Sequence, residues 1–310
     1  MQTPVVALAG GVGGAKLALG LSKVLAPDEL TVVVNTGDDE EFHGLHVSPD
    51  LDTVMYTLAG LSNEETGWGL SGDTFRAVER LKTYGADAWF SLGDQDLATH
   101  LRRTEMLRHG KTLSQATESM CAALGVRHPI LPMSDDRVRT VVSTDEGELP
   151  FQVYFVKRRC EPIVRSLSFD GAAEAAPSPG FRAAIEAARA LVICPSNPFV
   201  SVAPILAVAG VRNLVQEFSG LRVAVSPIVG GKALRGPAAK MMEELGLDAT
   251  CVGVAREYAG YCDVFVIDEV DAHHREEIEA LGMRAEVANT VMETQADKVT
   301  LARHILGLEQ

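Results

Sequence analysis

The chain has 310 residues, 46% hydrophobic and 23% charged, enough to bury a large core as one α/β unit. Its formal net charge of −14 argues against a nucleic-acid-binding surface, which needs a basic face. A phosphate bound by so acidic a protein must be neutralised locally, by backbone amides, a few basic side chains or a divalent cation. The five cysteines, Cys121, Cys160, Cys194, Cys251 and Cys262, are widely spaced without a CxxC pair, which fits free thiols in a reducing compartment. No apolar run reaches the roughly 20 residues that span a bilayer. Glycines interrupt the first apolar stretch, so it reads as a strand, not a signal peptide, and the expected location is cytoplasmic.

Pro4–Ala9 predicts a strand, Gly10–Gly14 a turn, and Ala15–Leu25 a helix, together a first βα unit. Leu30–Asn35 is β-branched and apolar throughout, as suits a parallel strand covered on both faces. Helices are expected over about Asp52–Leu61, Asp73–Tyr84 and Gln95–Arg108, with Ala88–Leu92 a strand between the last two. The capping box Thr112-x-x-Gln115 opens another helix, which Gly125 stops. Val138–Ser143 and Phe151–Val156 read as a β-hairpin, making residues 134–180 a cap inserted into the main domain. Parallel logic then resumes with strands at Leu191–Cys194, Val223–Ser226 and Val264–Ile267. The fold class is therefore α/β, a doubly wound, mostly parallel, Rossmann-like sheet in a single 1–310 domain with an inserted hairpin.

In such sheets ligands bind beyond the carboxyl ends of the strands. Four glycines in Gly10–Gly14 let backbone approach a phosphate, and Lys16 adds charge; a tight strand–helix turn explains the same residues. The loop is not a Walker A motif and matches GxGxxG only in part. Asp38 follows Gly13 by 25 residues, near the ribose-binding acid of a dinucleotide site. Acids continue through Asp39, Glu40 and Glu41 and return at Asp50 and Asp52, a pattern that fits Mg²⁺ beside a phosphate; helix capping is the alternative for the last two. The segment Ser91–Arg103 gathers two acids, His100 and two arginines at a helix start, explained either by a polar substrate or by a solvated, well-capped helix. Neither a GxSxG elbow nor a paired cysteine offers a nucleophile, so positioning and charge neutralisation are the expected chemistry.

Together these motifs resemble the 2-phospho-L-lactate transferases of coenzyme F-420 biosynthesis. The resemblance rests on Ala9–Lys16, Val33–Asp39, Ser48–Thr53, Gly67-Trp-Gly69, Asp73-Thr-Phe75, Asp96–Leu101, Leu131–Asp136, Pro195-Ser-Asn-Pro198 and Ser226–Gly230, in that order. The chain departs from the family at Gln95, where arginine is common, and at Ser201-Val-Ala203-Pro204, where the family often has Ser-Ile-Gly-Pro. The resemblance implies a homodimeric, Mg²⁺-dependent enzyme. It would transfer a phosphorylated hydroxy acid from a guanosine diphosphate-linked donor to the deazaflavin Fo, releasing GMP. By position, it makes Asp50 and Asp38 the catalytic pair and Asp50 and Asp52 the metal ligands. Gly11, Gly13, Gly14 and Lys16 would meet phosphate, Ser196 and Asn197 the guanosine, and Asp50, His100 and Arg103 the acceptor. Two rivals are a UDP-sugar-binding regulator of a sister family with a similar glycine loop and, third, a dehydrogenase.

Overall fold

The computed structural model describes residues 4–234 and 236–308. Seven parallel strands form the main sheet: β1 Val5–Ala9, β2 Leu30–Val34, β3 Ile130–Pro132, β4 Ala190–Ile193, β5 Leu221–Val225, β6 Val264–Ile267 and β7 Arg284–Val287. Their spatial order is 7-6-5-4-1-2-3, so the sheet grows outward in both directions from β1 and β4. This is the Rossmann-like doubly wound order with one further strand at the β6 edge.

Alternation along each strand feeds two cores. Val6, Leu8, Val33, Ile193 and Phe265 face one side, against Phe181, Val211, Met241 and Tyr258. Val5, Ala7, Val32, Val34 and Val264 face the other, covered by helix α1 (Gly11–Ser22), helix α2 (Pro49–Ala59) and the C-terminal helix Gln295–Gly307. Burial on both faces explains why the central strands are continuous apolar runs.

The excursion between β3 and β4 holds a three-stranded antiparallel sheet of Gly147–Pro150, Arg139–Thr144 and Val164–Asp170, with Arg139–Thr144 in the middle. The expected second hairpin strand, Phe151–Val156, is not one. The chain turns earlier, at Thr144–Gly147, with Gly147 at φ +114°. The partner strand is thus spent by Pro150, and Val153–Lys157 coils into one wide π-helical turn. Val138, Val142, Tyr154 and Val164 join the first core, which ties the excursion to the sheet.

Ala88–Leu92, expected as a strand, has no strand pairing. Its apolar residues instead build a satellite cluster with Phe42, Val47 and Val78, in which Phe90 stacks on Phe42 at 4.1 Å between centroids. No helix among the described residues is long and apolar enough to cross a membrane.

Candidate functional site

The sheet order reverses between β1 and β4, so the loops leaving these strands diverge and open a crevice at their carboxyl ends. A cavity of about 690 Å³ occupies that crevice, within the range of small-molecule sites. It is walled by the first turn of α1, the start of α2, the Pro195–Asn197 loop and the π-helical turn of the excursion.

The glycine run is the first turn of α1, not a loop ahead of it. Gly10 is extended (φ −159°) and Gly11 takes φ +59°, a left-handed value that suits a residue without a Cβ. A Cβ on Gly13 would overlap the carbonyl oxygen of Pro195, and one on Gly14 would lie 2.6 Å from Ser196 Oγ. These two glycines let α1 dock on the β4 loop. Gly10, Gly11 and Gly13 still border the cavity, whereas Gly14 is buried behind it. Ser196 is used structurally: its hydroxyl accepts from the Gly10 amide (3.1 Å) and donates to the Gly10 carbonyl (2.9 Å), lacing β1 to β4. Asn197 Oδ1 accepts from the Phe199 amide at 2.9 Å, capping the Pro198–Val202 turn. Lys16 Nζ donates to the Met292 carbonyl at 2.7 Å, on the wall formed by the loops after β5 and β7.

Asp50 and Asp52 sit two apart on α2, so their side chains diverge. Neither caps the helix. Asp50 Oδ1 accepts from the Gly11 amide at 2.8 Å and Oδ2 from Asn35 Nδ2 at 3.0 Å, which joins α2, α1 and β2 at the cavity floor. Burial raises its carboxyl to about 6, with the Asn35 and Gly11 bonds opposing and the Asp39 charge adding to the rise. Asp38 borders the same cavity. Burial first, and the Asp50 charge second, push its carboxyl well above the usual range. Oδ1 of Asp38 and Oδ1 of Asp39 are buried without a hydrogen-bond donor among the described residues. A hard divalent cation satisfies such oxygens and relieves the repulsion.

Asp52, expected as a metal ligand, gives both oxygens to Arg103. Nη1 donates to Oδ2 at 3.1 Å and Nη2 to Oδ1. Arg103 is fully buried and does not border the cavity, so the structure moves it from acceptor contact to strut between α2 and the helix Asp96–Arg108. His100 borders the cavity, with Nδ1 3.7 Å from Asp52 and Nε2 3.3 Å from Asp96. Tyr56 completes the network, donating at 2.6 Å to Asp96. Asp52, Asp96 and His100 cluster closely enough to hold an ion, but the Arg103 guanidinium already neutralises Asp52.

Sequence reasoning gave no role to Asn35, Tyr56, Phe151, Gln152 or Phe155. Asn35 positions Asp50 and, through its carbonyl, the Gly37 amide (2.8 Å). Phe151 and Phe155 stack in parallel at 5.4 Å and, with Trp68 and Phe90, form an aromatic wall. A helical period at Phe151 and Phe155 was the available signal, masked by reading the segment as a strand.

Comparison with known proteins bears on the family and the fold. The family model described as 2-phospho-L-lactate transferase CofD matches residues 5–304. A phosphoenolpyruvate transferase of Streptomyces griseus is 45% identical over 314 residues, covering 99% of this chain and 98% of the relative. A 2-phospho-L-lactate transferase of Methanothermobacter thermautotrophicus is 42% identical over 306 residues, with 99% and 98% covered. A solved upf0052-family protein of Bacillus halodurans superposes with a TM-score of 0.64 at 16% identity, covering 99% of both chains, which bears on the fold alone.

Proposed function

The chain belongs to the 2-phospho-L-lactate transferase family, and we propose that it transfers a phosphorylated acid from a guanosine diphosphate-linked donor to the deazaflavin Fo. The relatives are named for phospholactate and for phosphoenolpyruvate, which supports phospholactate or its enolpyruvyl counterpart as the acid ahead of phosphoglycerate. The terminal ribityl hydroxyl of Fo attacks the phosphorus that bears the acid. The bond from that phosphorus to the bridging oxygen breaks, GMP leaves with that oxygen, and the hydroxyl proton passes to an aspartate at the cavity floor. Asp50 borders the cavity and is placed to take that proton.

The observation that carries this reading is the pairing of Asp38 and Asp50. Two buried carboxylates, each raised by burial, border the cavity where the sheet order reverses, Asp50 on the Gly11 amide of α1. They fit Mg²⁺, with the unpartnered Asp38 Oδ1 as the first ligand and Asp50 beside it. Bound there, the cation would supply charge neutralisation at the diphosphate. Lys16 offers a second positive group across the cavity, and the aromatic wall of Trp68, Phe90, Phe151 and Phe155 suits a flat deazaflavin ring. A direct displacement in this cavity needs no covalent enzyme intermediate.

The test is to incubate the protein with Fo, Mg²⁺ and each guanylylated acid and to weigh the products. A mass equal to Fo plus the phosphorylated acid, with GMP released, is expected. Stabilisation by a UDP-sugar alone, with no product from any donor, would sink the reading in favour of a binding protein.

A further inference from the structure

Away from the cavity, three side chains meet behind the loop that follows β5. Cys251 opens the helix Cys251–Glu257, and Asp271 and His274 belong to the 3₁₀ turn Glu269–His274 after β6. One ligand atom from each, the thiol sulfur, a carboxylate oxygen and an imidazole nitrogen, lies within 4.8 Å of the other two. Cys251 and Asp271 are buried, while His274 reaches the surface and gives an ion a way in.

Two of the three are also held from behind. Asp271 Oδ2 accepts from the Gly230 amide at 3.0 Å. His274 Nδ1 lies 2.8 Å from Glu277 Oε1. A carboxylate on the imidazole is the outer partner that metal-binding histidines usually have, because it fixes the ring and raises its basicity. The donor set of one sulfur, one nitrogen and one oxygen suits a borderline-soft cation. Mg²⁺, which demands oxygen ligands in octahedral array, fits poorly.

We propose that Cys251, Asp271 and His274 form a site for a divalent cation of the zinc class, with three protein ligands and the fourth position open to water. The metal-free thiol is pushed up to about 12, by burial first and Asp271 next, so binding at neutral pH releases its proton to solvent. The ion would bridge the helix at Cys251 to the turn after β6. Through the Asp271–Gly230 bond it would also hold the loop after β5, which continues into Leu234, Pro237 and Ala238 of the cavity wall. The cysteine spacing in the sequence gave no zinc signature because the other two ligands lie some twenty residues on and include an aspartate.

The test uses full-length protein stripped with EDTA and titrated with Co²⁺, then Zn²⁺. Expected are a near-ultraviolet thiolate-to-cobalt charge-transfer band, its displacement by Zn²⁺, and a Tm raised by roughly 5 °C at saturating Zn²⁺. Mg²⁺ should neither displace Co²⁺ nor raise Tm by this route. Cys251→Ser should lose the band and Cys160→Ser should keep it. His274→Gln, at a partly exposed position, should weaken Co²⁺ binding more than 10-fold, and Glu277→Gln by roughly 10–100-fold. A missing band, a band that survives Cys251→Ser, or unchanged affinity in His274→Gln overturns the site. Should Cys251→Ser fail to fold, the histidine variant decides. None of these readouts involves transferase turnover, so the outcome is separate from the proposed reaction.

Discussion

Asp38 and Asp50 cost the free protein stability when both are charged. The ordinary carboxyl value is 3.8, and Asp50 is raised to about 6 in the fold. A raised carboxyl binds its proton more tightly when folded. Its contribution is therefore complete below about 3.8 and is lost as pH climbs through about 6. For Asp50 that is roughly 3 kcal/mol, and Asp38 acts in the same direction. In EDTA, urea unfolding should show a more stable protein at pH 5 than at pH 7.5. Asp38→Asn should narrow that gap, raise the midpoint at pH 7.5 and abolish turnover. A gap unchanged by the substitution would mean that the two carboxylates are not paired in solution. Gly13 belongs to the same scale. Because its Cα faces the Pro195 carbonyl, Gly13→Ala should lower stability by about 3 kcal/mol through forced separation of α1 from the β4 loop. A variant of full stability with weaker GDP binding would show that this position serves the phosphate and not the docking of α1.

Between elements, the buried Arg103–Asp52 pair joins α2 to the helix Asp96–Arg108 and so fixes the wall of the cavity that carries His100. Removing one partner strands the other charge. Arg103→Leu should cost about 3–5 kcal/mol, and Asp52→Leu added to it should recover most of the loss. A double variant as unstable as the single would show that packing, not charge, holds the two helices together. Such a pair is invisible in sequence, where Asp52 and Arg103 are 51 residues apart and each admits a local reading as cap or solvated helix charge. The central strands were legible because burial on both faces leaves apolar runs such as Leu30–Val34 and Val264–Ile267. Edge strand β3 has three residues and ends in proline, and β7 carries Arg284 and Glu286, so neither gave that signal. Ala88–Leu92 and Phe151–Val156 gave it falsely, since an aromatic cluster and a helical turn bury apolar side chains as well as a strand does. Of the cavity, the sequence pointed to Gly10–Gly13, Asp38 and Asp50, all of which border it, although the glycines and Asp50 lie on the first turns of α1 and α2 and not in loops. The duties of Ser196 and Gly14 in lacing β1 to β4 appear only once the two strands are neighbours.

On the scale of the whole molecule, a chain with net charge −14 binds an anionic donor only where the fold concentrates amides and cations. The cavity at the sheet's reversal point draws on both flanks: the loops after β5 and β7 on one side, the aromatic wall on the other, with Asp38 and Asp50 on its floor. At about 690 Å³ it has room for parts of two ligands together. The proposed direct displacement requires donor and acceptor to meet in one ternary complex. Initial rates measured with both substrates varied should give intersecting double-reciprocal lines, and GMP should form only when Fo is present. Parallel lines, or a burst of GMP from donor alone at about one equivalent of enzyme, would reveal a covalent intermediate. They would shift the chemistry from the aspartate pair to a nucleophile elsewhere in the fold.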